Sequence, residues 1–176
     1  RAWTAGQAPQ FGEMVISHYG LEGGLVYRCN RALSTDLQQH TSSILYLDLF
    51  PDLSAEQLLH KLQQGKKLSL NTLWQRIGLD KTKIALVRDV VAKAEWTQHE
   101  IMAQHFKQLA VKITGFRPIE EAISCAGGVR LDALDDNLMI KNNQNIFACG
   151  EMLDWDAPTG GYLLTACLAT GRKAGE

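Results

Sequence analysis

The chain has 176 residues, 45% of them hydrophobic and 21% charged, enough apolar material for one domain or two small ones and too much for a disordered or collagen-like chain. Eighteen Lys and Arg nearly cancel nineteen Asp and Glu, a net charge of −1, and no run of Lys or Arg exceeds two residues. That balance argues against nucleic acid and membrane surfaces as partners, and the longest uncharged apolar stretch, residues 160–171, is far short of the roughly 18 residues of a membrane span.

In chain order, Met14-Val15-Ile16 and Leu25-Val26-Tyr27 read as strands flanking a glycine-rich link at residues 20–24. Residues 44–49 (ILYLDL) are a third strand candidate, ended by Pro51-Asp52. The period then changes. Ser54 stands three residues before Gln57, a capping-box spacing, and Leu58, Leu59 and Leu62 follow at helical intervals until Gly65. A second short helix carries Leu70, Leu73, Trp74 and Ile77, with Gly78 as its stop. A third is expected to start at Asp80 and place Ile84, Val87, Val90, Val91 and Ala94 on one face. Thr97 and Glu100 suggest another capping box, opening a fourth helix with Ile101, Met102, His105, Phe106 and Leu109 inward. Residues 51–110 therefore read as a small antiparallel helical bundle able to fold by itself.

Val111-Lys112-Ile113 alternates like a strand, and residues 122–125, 138–140 and 146–149 are further short strand candidates. The last helix begins near Gly160-Gly161 and is apolar almost all round, with only Thr165 and Thr170 as polar positions before residue 171. Such a helix belongs inside a structure. Alone, this chain is expected to cover it with a second copy or with its own strands. The fold class that follows is α+β, with strands at residues 1–50, the helical block at 51–110, return strands at 111–124, and a closing segment at 125–176.

Four scattered cysteines form no CxxC pair, and five histidines never fall at the i, i+4 spacing of a helical zinc site, so no metal centre is expected. A reducing cytoplasm is the expected location. Position 1 is Arg and no charged-then-apolar leader follows it, so the chain reads as a piece of a longer polypeptide rather than a secretory precursor. Residues 17–20 (SHYG) offer an acid or base near neutral pH, and read more simply as a histidine held in a β-turn. Asp132, Asp135 and Asp136 lack the fixed oxygen spacing of a calcium loop.

The richest segment is residues 145–151 (NIFACGE), then Asp154, then residues 158–165 (PTGGYLLT). It places a carboxylate at a strand end and glycines at a helix start, where bare backbone N–H groups favour a ligand's negative charge. An ordinary strand–loop–helix connection has the same pattern. The full stretch NIFACGEMLDWDAPTGGYLLTACLATGRKAG, with CAGGV at residues 125–129, GEMVISHYGLEGG at 12–24 and DLFPDLSAEQLL at 48–59, resembles the BaiN-type or aminoacetone-oxidase-like family of bacterial NAD(P)/FAD-dependent flavoproteins. Where that family commonly shows Ser-Gly-Pro after HYGL, Glu22-Gly23-Gly24 stands here.

The resemblance implies the C-terminal part of a flavoenzyme whose strands and helical block form an insert in an FAD-binding fold. It implies FAD as cofactor and NAD(P)H as a candidate reductant. The layout of these motifs is also similar to that of fumarate-reductase-type flavoprotein subunits, and by that resemblance Glu151 would bind ribityl hydroxyls, the backbone of Gly161, Tyr162 and Leu163 would face the N1/C2=O edge of the flavin, and Gly127 and Gly128 would lie close to it. Gly150, Asp154 and Gly160 complete the implied cofactor set, and no catalytic residue is assigned. No GxGxxG turn for the FAD pyrophosphate follows any strand of these residues, so FAD affinity of the chain alone is expected to be weak. The alternative reading is a ligand- or protein-binding module built on the helical block, or a flavoprotein fold that has lost its chemistry.

Overall fold

Alternating burial builds the main sheet of the computed structural model, which describes residues 1–65, 67–157 and 161–176. Strand β4 (Ser43–Leu47) turns Ser43, Leu45 and Leu47 inward, and β5 (Leu109–Ile113) does the same with Leu109 and Val111. Their antiparallel register sets Leu45 opposite Val111 and Leu47 opposite Leu109, so the apolar sets share one face. The short β1 (Ala2–Trp3) pairs on the other edge of β4, where Trp3 stacks on Tyr46 with ring centroids 5.8 Å apart. A separate hairpin joins β2 (Val15–Ser17) to β3 (Gly20–Glu22). The Ser17 hydroxyl donates to Glu22 Oε1 at 2.6 Å and accepts the Tyr19 N–H at 3.2 Å, closing its turn.

Leu25-Val26-Tyr27 is not a strand. It opens α1 (Gly24–Gln39), which buries Leu25, Val26, Cys29 and Leu33. Gly23 precedes it at φ 100°, a conformation that favours glycine. The helical periodicity of the longer segment outweighs the strand preference of three residues. Residues 1–50 thus hold four short strands and a sixteen-residue helix.

The first helices of the next block follow their caps. Helix α2 (Ala55–Gln64) has the complete Ser54–Gln57 capping box. Helix α3 (Leu70–Arg76) is capped by Ser69, and Gly78 at φ 112° turns the chain into α4 (Lys81–Val90), capped by Asp80. Val91 and Ala94 lie beyond the end of α4. Helix α5 (His99–Lys107) starts after Gln98 with no side-chain cap, because a 3-10 turn over Lys93–Glu95 carries the chain past Thr97. Leu109 belongs to β5 rather than to this helix.

The four helices share their core with the sheet instead of closing on one of their own. Leu58, Leu62, Trp74, Val87, Met102 and Phe106 join Leu45, Leu47, Leu109 and Leu33 in one buried cluster. The fully buried Trp74 ring meets Phe106 edge-on at 5.9 Å and Trp96 at 6.0 Å. Buried Asp48, just past β4, accepts from Lys107 Nζ at 2.7 Å and from the Phe50 N–H at 3.0 Å, so the charge is paired where water is scarce.

The chain divides into two units, Arg1–Gly115 and Phe116–Glu176. In the second, the expected strands at 122–125, 138–140 and 146–149 are absent as strands. Among the described residues only single bridges occur there, Leu134 with Ile140 and Met139 with Phe147 antiparallel, and Val129 with Leu153 parallel. Turns consume the backbone groups: Asp135 Oδ1 accepts from the N–H groups of Asn137 and Met139, both at 2.9 Å. Leu138 and Asn145 sit at φ 66°, which interrupts both apolar runs. A small cluster of Leu134, Ala148 and Leu153 is buried, and α6 (Gly161–Gly175) ends the chain. The fold class is α+β. No described helix is long and apolar enough to cross a membrane.

Candidate functional site

The residues singled out by sequence lie in the second unit, on two chain segments held together by backbone. Gly128 adopts φ 154°, and a Cβ there would run into the Met152 carbonyl and lie 2.9 Å from the Leu153 carbonyl. Next to it, the Val129 N–H donates to Met152 O and the Asp154 N–H donates to Val129 O, both at 2.8 Å. Glycine is therefore required at 128 by the approach of this chain's own turn. Gly127, at φ 97°, has open space where its side chain would be.

Residues 150–155 run back along α6 from two anchor points. At one, the Gly150 N–H donates to Thr170 Oγ1 at 3.0 Å, while the same hydroxyl donates to the Ala166 carbonyl at 2.7 Å. Gly150 has φ 65°, and a Cβ on it would stand 3.6 Å from the Cys167 Sγ. At the other anchor, the rings of Trp155 and Tyr162 pack with centroids 6.5 Å apart and planes at 42°. Between them lie Glu151, in a 3-10 turn over Gly150–Met152, and Asp154, both exposed. The Glu151 carboxylate has no hydrogen bond or ion pair among the described residues, so its oxygens are available as acceptors.

The start of α6 carries the remaining residues. Gly161 and Tyr162 are exposed and Leu163 is half-buried. Gly160, with Pro158 and Thr159, lies outside the described residues. Helix α6 buries none of its residues completely, contrary to the expectation of a helix enclosed on all sides. One face is half-covered by the Gly150 turn; Leu164 and Leu168, one turn apart on the far side, are 61% and 67% exposed, and Tyr162, beside Trp155, is 69% exposed. Cys149 and Cys167 are half-buried free thiols on this contact.

Sequence reasoning missed Thr170 and Trp155, the two anchors. One of two threonines in an otherwise apolar helix stretch and a tryptophan directly after Asp154 were the available signals. Nearby, Arg130 and Asp132 form an ion pair; hydrogen bonding to Arg130 lowers the Asp132 carboxyl below its ordinary value, and hydrogen bonding to Asp132 raises Arg130. In the first unit, Ser17 and His18 stay on the hairpin turn, with the His18 ring edge-on to Tyr19 at 5.3 Å. His105 bonds Glu95 through Nε2 at 2.6 Å. Among the described residues no three His, Cys, Asp or Glu side chains gather as a metal site would require.

Two comparisons bear on this arrangement. The chain is similar to a 3-dehydro-bile acid delta(4,6)-reductase of Clostridium scindens, with 26% identity over 184 residues, covering 96% of this chain and 44% of the relative. The chain thus spans less than half the length of that curated relative. The family model of the HI0933-like protein barrel and H2TH domain matches residues 2–124. That match covers well over half of the chain, and it falls outside the C-terminal motif on which the sequence resemblance chiefly rests. The chain belongs to the HI0933-like family, the BaiN-type flavoprotein group that its sequence resembles.

Proposed function

We propose that this chain is the C-terminal part of an FAD-dependent oxidoreductase that moves a hydride between a substrate or NAD(P)H and the flavin. In this reading residues 1–50 and 111–124 are the strand-bearing parts of an inserted region, residues 51–110 its helical part, and residues 125–176 the return to the flavin-binding domain. The end of the family match at residue 124 supports that boundary.

The observation that carries the reading is the two-point docking of residues 150–155 along α6. It fixes an unengaged carboxylate beside a helix whose first N–H groups have no partners within the helix. This donor and acceptor set fits a flavin. Glu151 and Asp154 accept hydrogen bonds from hydroxyls of the ribityl chain, and Gly127 leaves room for close approach. The backbone of Gly161, Tyr162 and Leu163, with that of Gly150, lines the ring side, where the positive end of α6 favours negative charge. Bound FAD supplies the hydride chemistry itself, and the protein's contribution is position and field.

The exposed pair Leu164 and Leu168, on one face of α6, is covered by a second copy when the chain is alone. Light scattering should then report a dimer that Leu164→Lys returns to monomer. The expected setting is the cytoplasm. The functional test is the colour of the full-length protein: it should purify with a flavin spectrum, and Glu151→Gln should lower its flavin content without changing its circular dichroism. Anaerobic bleaching by NAD(P)H would identify the reductant. A colourless protein that takes up no FAD favours a binding module.

A further inference from the structure

On the first unit, α3 and α4 leave an open cleft of about 380 Å³ lined by Asn71, Gln75, Lys81, Ile84, Ala85 and Arg88. The volume falls within the roughly 300–1,000 Å³ of small-molecule sites. The lining follows from helix geometry. Asn71 and Gln75 are one turn apart on α3, while Lys81, Ile84, Ala85 and Arg88 repeat at i, i+3, i+4 and i+7 on α4. The floor is therefore apolar, one wall carries amides, and two cations stand at the ends, about 10 Å apart along the helix axis.

Arg88 is held in place. Its Nη2 donates to Asn71 Oδ1 at 2.8 Å, and its guanidinium lies 5.2 Å from the Trp96 ring centroid and 5.9 Å from that of Trp74. One of its five donors is used and the plane is fixed, an arrangement that suits an incoming carboxylate or phosphate. Lys81 has no ion pair among the described residues. The neighbouring Asp80 carboxylate is turned to α4's own start, accepting the Lys83 N–H at 2.8 Å. A polyanion such as nucleic acid would call for a stripe of cations; two cations separated by Ile84 and Ala85 match a short amphiphile better.

We propose that the α3–α4 cleft binds a small molecule joining an oxyanion, carboxylate or phosphate, to an apolar body. This site is independent of the flavin reading. The test is a nuclear magnetic resonance titration of the 176-residue chain with octanoate and with octyl phosphate, using inorganic phosphate as the charge-only probe. Saturable shifts confined to residues 71–88 and the Trp96 indole are expected. Whichever amphiphile binds more tightly identifies the oxyanion. Lys81→Gln and Arg88→Gln should each weaken binding about fivefold or more, and Ala85→Glu should abolish it by placing a carboxylate on the floor. Because Arg88 also covers Trp74 and Trp96, Lys81→Gln decides the matter if Arg88→Gln fails to fold. Three results overturn the proposal: no saturable shift with either amphiphile at millimolar concentration, binding indifferent to Lys81→Gln, or inorganic phosphate matching octyl phosphate.

Discussion

The two units of this chain are stabilised by different means. Among the described residues of Arg1–Gly115, twenty-two buried ones form one cluster fed by α1, the β1–β4–β5 sheet and all four following helices. In Phe116–Glu176 the corresponding cluster among the described residues is Leu134, Ala148 and Leu153, and ten of the thirteen large exposed hydrophobic side chains lie there. Hydrophobic burial scales with area removed from water, so the first unit has the larger driving force by far. The second is organised by turn hydrogen bonds and a few close backbone approaches, the arrangement that also shapes the candidate cofactor turn. Exposed apolar surface on that scale is what the proposed pairing of two copies would cover.

Separating the units gives the largest expected effect. Residues 1–115 expressed alone should melt in one cooperative transition, whereas residues 116–176 alone should show none, since so small a buried cluster cannot offset chain entropy. A sharp melt for the second piece would break the comparison. Within the first unit, Trp74→Ala should cost about 3–5 kcal/mol in urea unfolding, because the ring is fully buried between Phe106 and Trp96. Gly128→Ala should cost about 1–3 kcal/mol of local strain, with amide shifts around Val129 and Leu153 and none in β4 or β5. Ser54→Ala should cost about 1 kcal/mol through loss of the α2 capping box, felt only in the first unit's melt.

What was legible in the sequence divides along the same line. Helices α2, α3 and α4 could be read because a start or stop signal agrees with the period in each, Ser54 with Gln57, Gly78 after Ile77 and Asp80 before Ile84, while the end of α4 was set four residues too late, at Ala94. The chain from Leu25 to Tyr27 misled because three strand-favouring residues mask a longer helical repeat through Cys29 and Leu33. In the second unit, short apolar runs such as residues 146–149 have no neighbouring strand to pair with, and local turn bonding from Asp135 wins. Gly150 and Glu151 were legible as candidate cofactor residues, though at the end of an expected strand rather than in the 3-10 turn that holds them. Their anchoring by Thr170 and Trp155 was not, because those contacts join positions twenty and seven residues apart and depend on how α6 lies.

Hydrogen exchange on the full-length protein, with and without added FAD, tests the account most directly. If the second unit supplies a wall of the flavin site, FAD should slow exchange at the amides of Gly150, Glu151 and the first turns of α6, and leave Leu45, Leu47, Leu109 and Val111 unchanged. Protection that stays the same around Glu151 and α6 while the protein binds FAD would contradict it.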